Sequence, residues 1–354
     1  MISATPYPAP RRAVWELTWR CNLRCSHCLV EGGPNDKVEL DPDEALDLVD
    51  QIATLGVERL TLTGGEPLMR RDWAALLQRA ADRGLVRILS SNGHGIHAAQ
   101  ARQMAALGVS MVVMSIDGNP ATHDEARRYP EARARRSSHA EVVAAIGQLR
   151  AVGVGVAVIT AVNKGNLAEL PEVHAGLKAL GVDSWMVQLS HATGRLDRGA
   201  MLDPEQMPVL AAFLVAAAKD PTLPPMVHSS IGWLSPDELT LRRSGRDEPR
   251  AIWRGPVCGK SVVGIEPDGG VKGCPNQVGD PFVVGSVRAE PLAVIWADRA
   301  RWHWVDMDPG RAAGACAPCG LKGVCGGGCP CVSFASTGRT FDNPLCLRAV
   351  GRSA

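Results

Sequence analysis

The chain has 354 residues, 45% of them apolar, and a formal net charge of +1. That length allows roughly two domains with a sizeable core, and the near-zero charge gives no field that argues for nucleic acid or an acidic membrane surface as partner. Eleven cysteines, eight of them after position 257, fit metal ligation better than a disulfide scaffold and suit a reducing, cytoplasmic compartment. The opening MISATPYPAPRR lacks the apolar core of a secretory signal. The longest apolar run, 209–218, is too short to span a bilayer.

A β-rich run over 13–19 leads into C-N-L-R-C-S-H-C, which sets Cys21, Cys25 and Cys28 in a CxxxCxxC spacing. Three such thiolates hold three irons of a four-iron cluster and leave one iron open. The alternatives are a zinc site with His27 as fourth donor, or buried thiols acting as small hydrophobes. Asp41-Pro42-Asp43-Glu44 carries an N-cap, a first-turn proline and an acidic third position, and starts a helix over 42–55. A strand over 59–63 ends in Thr63-Gly64-Gly65-Glu66-Pro67. The glycines let backbone approach a ligand, and Glu66 is an acceptor suited to an ammonium group. A helix over 72–83 and a strand over 86–91 follow, the strand ending in Ser90-Ser91-Asn92-Gly93. After a helix over 97–107, a strand over 111–116 ends in Ser115-Ile116-Asp117-Gly118. Such small polar groups suit a ribose, or are plain strand-to-helix turn chemistry. Helices over 139–151 and 167–180 alternate with strands over 154–162 and 185–189, and Gln188 lies at the end of the latter. Asp203-Pro204-Glu205-Gln206 opens another helix.

Six strands alternating with helices predict a parallel sheet whose functional residues sit at the C-terminal strand ends. Residues 220–256 are rich in proline and charge and read as a connector. From Cys258 onward glycine and cysteine dominate. The composition thus divides the chain into 1–219, 220–256 and 257–354.

The run Cys21–Cys28, with Gly64–Pro67, Ser90–Gly93 and Ser115–Gly118 in that order, resembles the radical S-adenosylmethionine (SAM) enzymes. The resemblance implies an α/β fold, a partial (β/α)6 TIM-like barrel followed by a small cysteine-rich iron–sulfur domain. It implies that Gly64, Gly65 and Glu66 hold the methionine end of SAM, that Ser90, Asn92 and Ser115 face its ribose, and that Gln188 meets adenosine or substrate. His123-Asp124-Glu125-Ala126-Arg127 resembles an HDxxR pattern of these enzymes. Arg127 is then either a partner of the SAM carboxylate or a solvated arginine in a basic loop. Arg133 to Arg136 read as a charged surface, and Trp296, Trp302 and Trp304 as packing in the small domain or as a substrate groove.

Cys258, Gly269 and Cys274, then Cys316, Cys319, Cys325, Cys329 and finally Cys346, match the spacing of the seven-cysteine SPASM domain. Two structural zinc sites are the alternative. The resemblance implies two auxiliary clusters and so three [4Fe-4S] clusters in all. Cys316, Cys319, Cys325 and Cys346 complete one auxiliary cluster. Cys258, Cys274 and Cys329 belong to the other, which is one thiolate short. Arg250 to Arg254 supply none, and Cys331 is the unassigned thiol, either a fourth ligand or a buried bystander. The resemblance further implies a flavodoxin- or ferredoxin-type reductant. Its substrate is a ribosomally made peptide, as in maturases of the mycofactocin type, or else a small molecule such as a tetrapyrrole. Because the first strand begins near residue 13, a peptide substrate calls for a separate leader-binding protein or direct capture. A non-catalytic iron–sulfur carrier is disfavoured by the Gly64–Glu66 loop.

Overall fold

The structure is a computed structural model that describes residues 8–33, 38–131, 136–232, 238–242, 255–278, 280–305 and 308–353. Its first part alternates β1 (Arg12–Glu16), α1 (Pro42–Thr54), β2 (Arg59–Thr63), α2 (Trp73–Asp82), β3 (Val86–Ser90), α3 (Ala98–Ala106), β4 (Val109–Ser115), α4 (Pro120–Ala126), α5 (Ser138–Ala151), β5 (Gly155–Val162), α6 (Leu170–Leu180) and β6 (Ser184–Leu189). The cap signals act as the sequence predicts. The Asp41 carboxylate accepts from the Asp43 and Glu44 N–H groups, and Glu44 returns to the Asp41 N–H at 2.8 Å. That box fixes the start of α1, which turns Ala45, Leu48, Val49 and Ile52 into the core.

Strands β1 to β6 pair in sequence order, all parallel. The sheet then extends beyond the six expected strands on both sides. After α7 (Met207–Ala217), β7 (Pro225–Val227) adds parallel to β6, inside the stretch read as connector; α8 (Glu238–Leu241) follows. On the other edge β8 (Val262–Ile265) pairs parallel with β1, and β9 (Gly270–Lys272) and β10 (Gly285–Ser286) continue antiparallel. Among the described residues this makes one ten-stranded sheet, ordered β10-β9-β8-β1-β2-β3-β4-β5-β6-β7. The cysteine-rich region therefore grows out of the same sheet. It is completed by α9 (Leu292–Ala297), α10 (Lys322–Cys325), α11 (Pro330–Thr337) and α12 (Leu347–Ser353).

The core lies between the sheet and its helices. Leu60, Leu62, Leu89, Val112, Val158 and Val187 are fully or almost fully buried, each contributing about 1.5–3 kcal/mol by removal from water. Trp185 is fully buried and donates its indole N–H to Thr160 Oγ1 at 2.9 Å. Residues 198–217 are apolar and long enough to cross a membrane by composition. They are broken into two 3-10 turns and α7, and α7 buries Met207, Leu210, Leu214 and Ala217 against its neighbours. Trp296, Trp302 and Trp304 are all buried, with Trp296 bonded to the Pro8 carbonyl at 3.1 Å and Trp302 to the Ile295 carbonyl at 3.1 Å, so they pack the small domain. The segment 133–135 and Arg250 to Arg254 lie outside the described residues.

Candidate active site and cysteine centres

The cysteine loop leaves the C-terminal end of β1 and is held from three sides by backbone. From below, the Gly65 N–H donates to the Thr18 carbonyl at 2.7 Å and the Glu66 N–H to the Arg20 carbonyl at 2.8 Å. A Cβ on Gly65 would stand 2.2 Å from the Arg20 oxygen and 2.7 Å from the Trp19 oxygen, and one on Gly64, at φ +129°, 2.5 Å from the Thr18 oxygen. Only glycine permits this approach. On a second side, Arg24 and Ser26 donate their N–H groups to the carbonyls of Arg128 and Ala126, both at 2.8 Å. On the third, Arg195 donates its N–H to the Cys28 carbonyl at 3.0 Å and its guanidinium to the carbonyls of Cys25 and Gly32.

Cys21, Cys25 and Cys28 line one cavity of about 210 Å³. The Leu23 N–H donates to Cys21 Sγ at 3.4 Å, the Gly32 N–H to Cys28 Sγ at 3.3 Å, and Asn92 Nδ2 to Cys21 Sγ at 3.8 Å. Burial pushes the Cys21 thiol up to about 12 and raises Cys25 as well, so a cationic metal group is what would hold these sulfurs as thiolates. Three sulfurs, that of Cys25 buried and those of Cys21 and Cys28 half-buried, each lining the same hollow and two of them met by backbone N–H donors, fit a cluster that takes three protein ligands.

The cavity wall also includes Gly64, Gly65, Asn92, Arg127 and Gln188. Glu66, Ser90 and Ser115 do not line it. The Glu66 carboxylate turns inward and accepts from Ser91 Oγ at 2.9 Å, the Asn92 N–H at 2.8 Å and the Leu68 N–H at 3.2 Å. Burial pushes it up to about 7 against those bonds. It ties the β2 loop to the β3 loop. Arg127 is not a solvated loop arginine. Its Nε lies 2.5 Å from Asp117 Oδ2, and the same oxygen meets His27 Nε2 at 3.1 Å, while Oδ1 accepts the Ala161 N–H at 2.8 Å. Burial pushes the Asp117 carboxyl upward, yet Arg127 and His27 hold it well below the usual carboxylate range. His27 is thus turned toward Asp117.

The opposite wall comes from residues that motif reading passed over: Glu16, Ser190, His191, Pro275 and Asn276. Glu16 ends β1 and is ion-paired with Lys272 at 2.7 Å, and Lys272 also meets Glu266 at 2.9 Å. His191 follows β6, is 2% exposed, and bonds Thr193 Oγ1 through Nδ1 at 2.7 Å, while Nε2 has no partner among the described residues. Burial pushes His191 and His228 down to about 4, so both are neutral near pH 7. A histidine just past a strand end was the signal available for His191. Pro275 and Asn276 directly follow Cys274, so the cavity is walled by the first cysteine loop and by the chain at Cys274.

The remaining cysteines fall into two groups. Cys316, Cys319, Cys325 and Cys346 surround a small enclosed hollow. The Asn343 N–H donates to Cys316 Sγ at 3.5 Å. Cys258, Cys274, Cys329 and Cys331 form a second group, all four buried and close enough to perturb one another's ionisation.

Comparison with known proteins bears on this arrangement directly. The sequence model of the radical SAM superfamily matches residues 15–175, and that of the SPASM iron–sulfur cluster-binding domain matches residues 257–320. An AdoMet-dependent heme synthase of Oleidesulfovibrio alaskensis is 30% identical over 353 residues, covering 96% of this chain and 87% of its own length. The chain belongs to the radical SAM superfamily. A second relative of this radical SAM enzyme is the mycofactocin maturase MftC of Mycobacterium tuberculosis, 29% identical over 342 residues, covering 95% of this chain and 82% of the maturase. The solved structure of SuiB from Streptococcus suis bound to S-adenosylmethionine superposes with a TM-score of 0.70 at 16% identity, covering 96% of this chain and 77% of SuiB, and so shares its fold. Radical SAM and SPASM membership make iron–sulfur clusters and SAM the cofactors of this enzyme.

Proposed function

We propose that this radical SAM enzyme modifies a ribosomally made peptide, using three four-iron clusters, one at each cysteine group. The observation that carries the reading is the cavity between Cys21, Cys25 and Cys28 on one side and the Cys274 loop on the other. A substrate held there lies beside the first cysteine triplet and against Pro275 and Asn276, which follow Cys274. When bound, SAM and the first cluster supply a reductively formed 5′-deoxyadenosyl radical that abstracts a substrate hydrogen atom.

The chain's own residues prepare that step. Gly64 and Gly65 bring backbone to the cavity wall and fix the cysteine loop beside it. Asn92, oriented by its bond to Asn22 Oδ1 at 2.8 Å, presents an amide to the same space. Arg127 and Asp117 cancel each other's charge beneath the loop and leave a guanidinium edge at the wall. Gln188 and His191 offer polar contacts on the substrate side, and neutral His191 Nε2 is placed to accept a proton should the substrate radical be oxidised.

A peptide substrate is supported by the mycofactocin maturases among the relatives. A second reading, oxidation of a tetrapyrrole or other small molecule, is supported by the heme synthases and by a pre-heme d1 synthase of comparable similarity. Eleven cysteines, none in a disulfide, suit a reducing cytoplasmic site of action and a flavodoxin- or ferredoxin-type electron donor. The test is anaerobic turnover with SAM and dithionite, using precursor peptides encoded near the gene and, separately, porphyrin carboxylates. A peptide mass shift with matching 5′-deoxyadenosine is expected. Turnover of the porphyrin alone would install the second reading, and absence of deoxyadenosine with loaded clusters would refute both.

A further inference from the structure

The segment that follows β6 closes over the first cysteine loop at two adjacent residues. Gly194 sits at φ +63°, and a Cβ there would stand 2.2 Å from the Cys28 oxygen and 2.4 Å from the Leu29 oxygen. Those neighbours are backbone and cannot swing aside, so a side chain at 194 pushes the cysteine loop away. Arg195 comes next. Its backbone N–H donates to the Cys28 carbonyl at 3.0 Å, and its guanidinium to the Cys25 carbonyl at 3.3 Å and the Gly32 carbonyl at 2.6 Å. A guanidinium fork suits two acceptors at once, and here it ties the cysteines to the exit of their own loop. Arg195 is half-buried and has no carboxylate partner among the described residues. Asp124 and Glu131 border an outer cavity with it but form no ion pair with it, and Asp124 accepts instead from Ser138 Oγ at 3.0 Å and the His139 N–H at 2.7 Å. Arg127, by contrast, is neutralised by Asp117.

We propose that Gly194 and Arg195 are positioning residues for the first cluster: the glycine lets the segment after β6 seat on the cysteine loop, and the guanidinium holds that loop and, as an unneutralised charge, raises the reduction potential of the cluster. The inference rests on the reading of Cys21, Cys25 and Cys28 as cluster ligands. Its physical basis is the charge left over beside those cysteines. Three thiolates bring negative charge to the loop, and reduction adds more, so a fixed cation beside it favours the reduced state. Groups that touch a ligand's backbone and not the metal tune a centre in this way. Arg24 also faces carbonyls of the loop, those of Leu23 at 3.0 Å and Gly32 at 3.4 Å, but it belongs to the loop it braces, whereas Arg195 brings its charge in from the sheet. The segment after β6 then has two tasks. Ser190 and His191 at its start wall the cavity, and Gly194 and Arg195 hold the cysteine loop.

The test uses the full chain, reconstituted anaerobically, and reads iron per chain together with a potentiometric titration followed by electron paramagnetic resonance. The component of the spectrum that SAM alters reports the first cluster. Arg195→Gln keeps an amide donor and removes the charge. It is expected to retain its iron and to lower the midpoint potential of the SAM-sensitive component, with the other signals in place. Arg195→Lys keeps the charge and is expected to return that potential toward the wild-type value, which a merely structural role would not do. Should Arg195→Gln lose about four irons per chain, the lysine variant decides: recovery of iron and potential supports the proposal, and equal depletion overturns it. Gly194→Ala is expected to lose about four irons with the auxiliary signals intact, and full iron in that variant would overturn the clamp. An unchanged midpoint potential in iron-replete Arg195→Gln would overturn the role of the charge. Wild-type protein with full iron and no SAM-sensitive component would instead refute the reading of Cys21, Cys25 and Cys28 underneath, which separates the two failures.

Discussion

Replacing Gly65 by alanine isolates the contact that joins the glycine loop to the cysteine loop. Gly65 has no positive φ, so the cost is steric and not conformational. The added methyl would meet backbone oxygens of Arg20 and Trp19 at 2.2 and 2.7 Å, which cannot swing aside as a side chain could. Separation of the loops lengthens the Gly65 to Thr18 and Glu66 to Arg20 hydrogen bonds. Losing two such bonds costs about 2 kcal/mol, and residual overpacking adds about 1–3 kcal/mol. A local penalty of about 3 kcal/mol corresponds to roughly a hundredfold shift in occupancy of the correct loop geometry. The assay is iron per chain together with 5′-deoxyadenosine formed from SAM and dithionite. Gly65→Ala is expected to lose about four irons and roughly a hundredfold in cleavage, with the auxiliary signals intact. Gly147→Ala is the control. It lies within α5, where an added Cβ meets nothing within 4 Å, and is expected to stabilise by about 1 kcal/mol with full iron. A Gly65→Ala protein with undiminished iron and cleavage would refute the reasoning.

Two further outcomes follow from buried charge. Asp117→Asn removes the partner of Arg127 and weakens the acceptor for the Ala161 N–H; it is expected to cost about 3–5 kcal/mol in urea unfolding, whereas a loss below 1 kcal/mol would show that the pair is already solvated. Glu66→Gln tests the carboxyl that burial raises to about 7: the folded state binds a proton there that the unfolded chain releases near pH 4.5, so the wild-type protein loses stability relative to the variant as pH rises from about 4.5 to about 7. Urea midpoints of both proteins across that window check it, and a pH-independent difference would sink it.

Much of the fold was legible because β1 to β6 and their helices carry strong, local signals: alternation, caps and punctuating glycines. Strand β2 spans the residues expected, β1 stops three residues short of the expected end, and the others differ at their ends by up to two residues. Helix α4 was missed although Asn119-Pro120 supplies a cap and a first-turn proline, because His123 to Arg127 were weighed only as a motif. Strands β8 to β10 are four, three and two residues long. β8 and β9 are buried at every position, so they show no alternation, and glycine and cysteine around them mask any propensity. At the site, sequence placed Gly64, Gly65, Asn92, Arg127 and Gln188 near the mouth, and they line the cavity. It could not show that Glu66 faces Ser91 and Asn92, or that Arg127 faces Asp117, since those orientations depend on loops brought together only by the sheet. Glu16 was invisible as a wall residue for the same reason, its partner Lys272 lying on a strand that sequence did not resolve.

The pairing of β1 with β8 decides how the two halves of the chemistry are related. The first cysteine loop leaves the C-terminal end of β1, and Cys274 lies two residues past β9, which is bonded to β8. Strands hydrogen-bonded in one sheet hold a spacing of about 4.8 Å each, so the separation of these centres is set by backbone pairing and not by the connector. The Glu16 to Lys272 ion pair adds a buried tie between the same two segments, with Lys272 only 1% exposed. Removing one member of such a pair leaves an uncompensated buried charge, which penalises any state in which β1 and β9 part. The boundary near residue 257 is accordingly a change of composition along the chain, while the sheet crosses it without interruption. A substrate in the cavity thus meets a wall from each side of that boundary, with the first cysteine loop and the Cys274 loop fixed to one sheet.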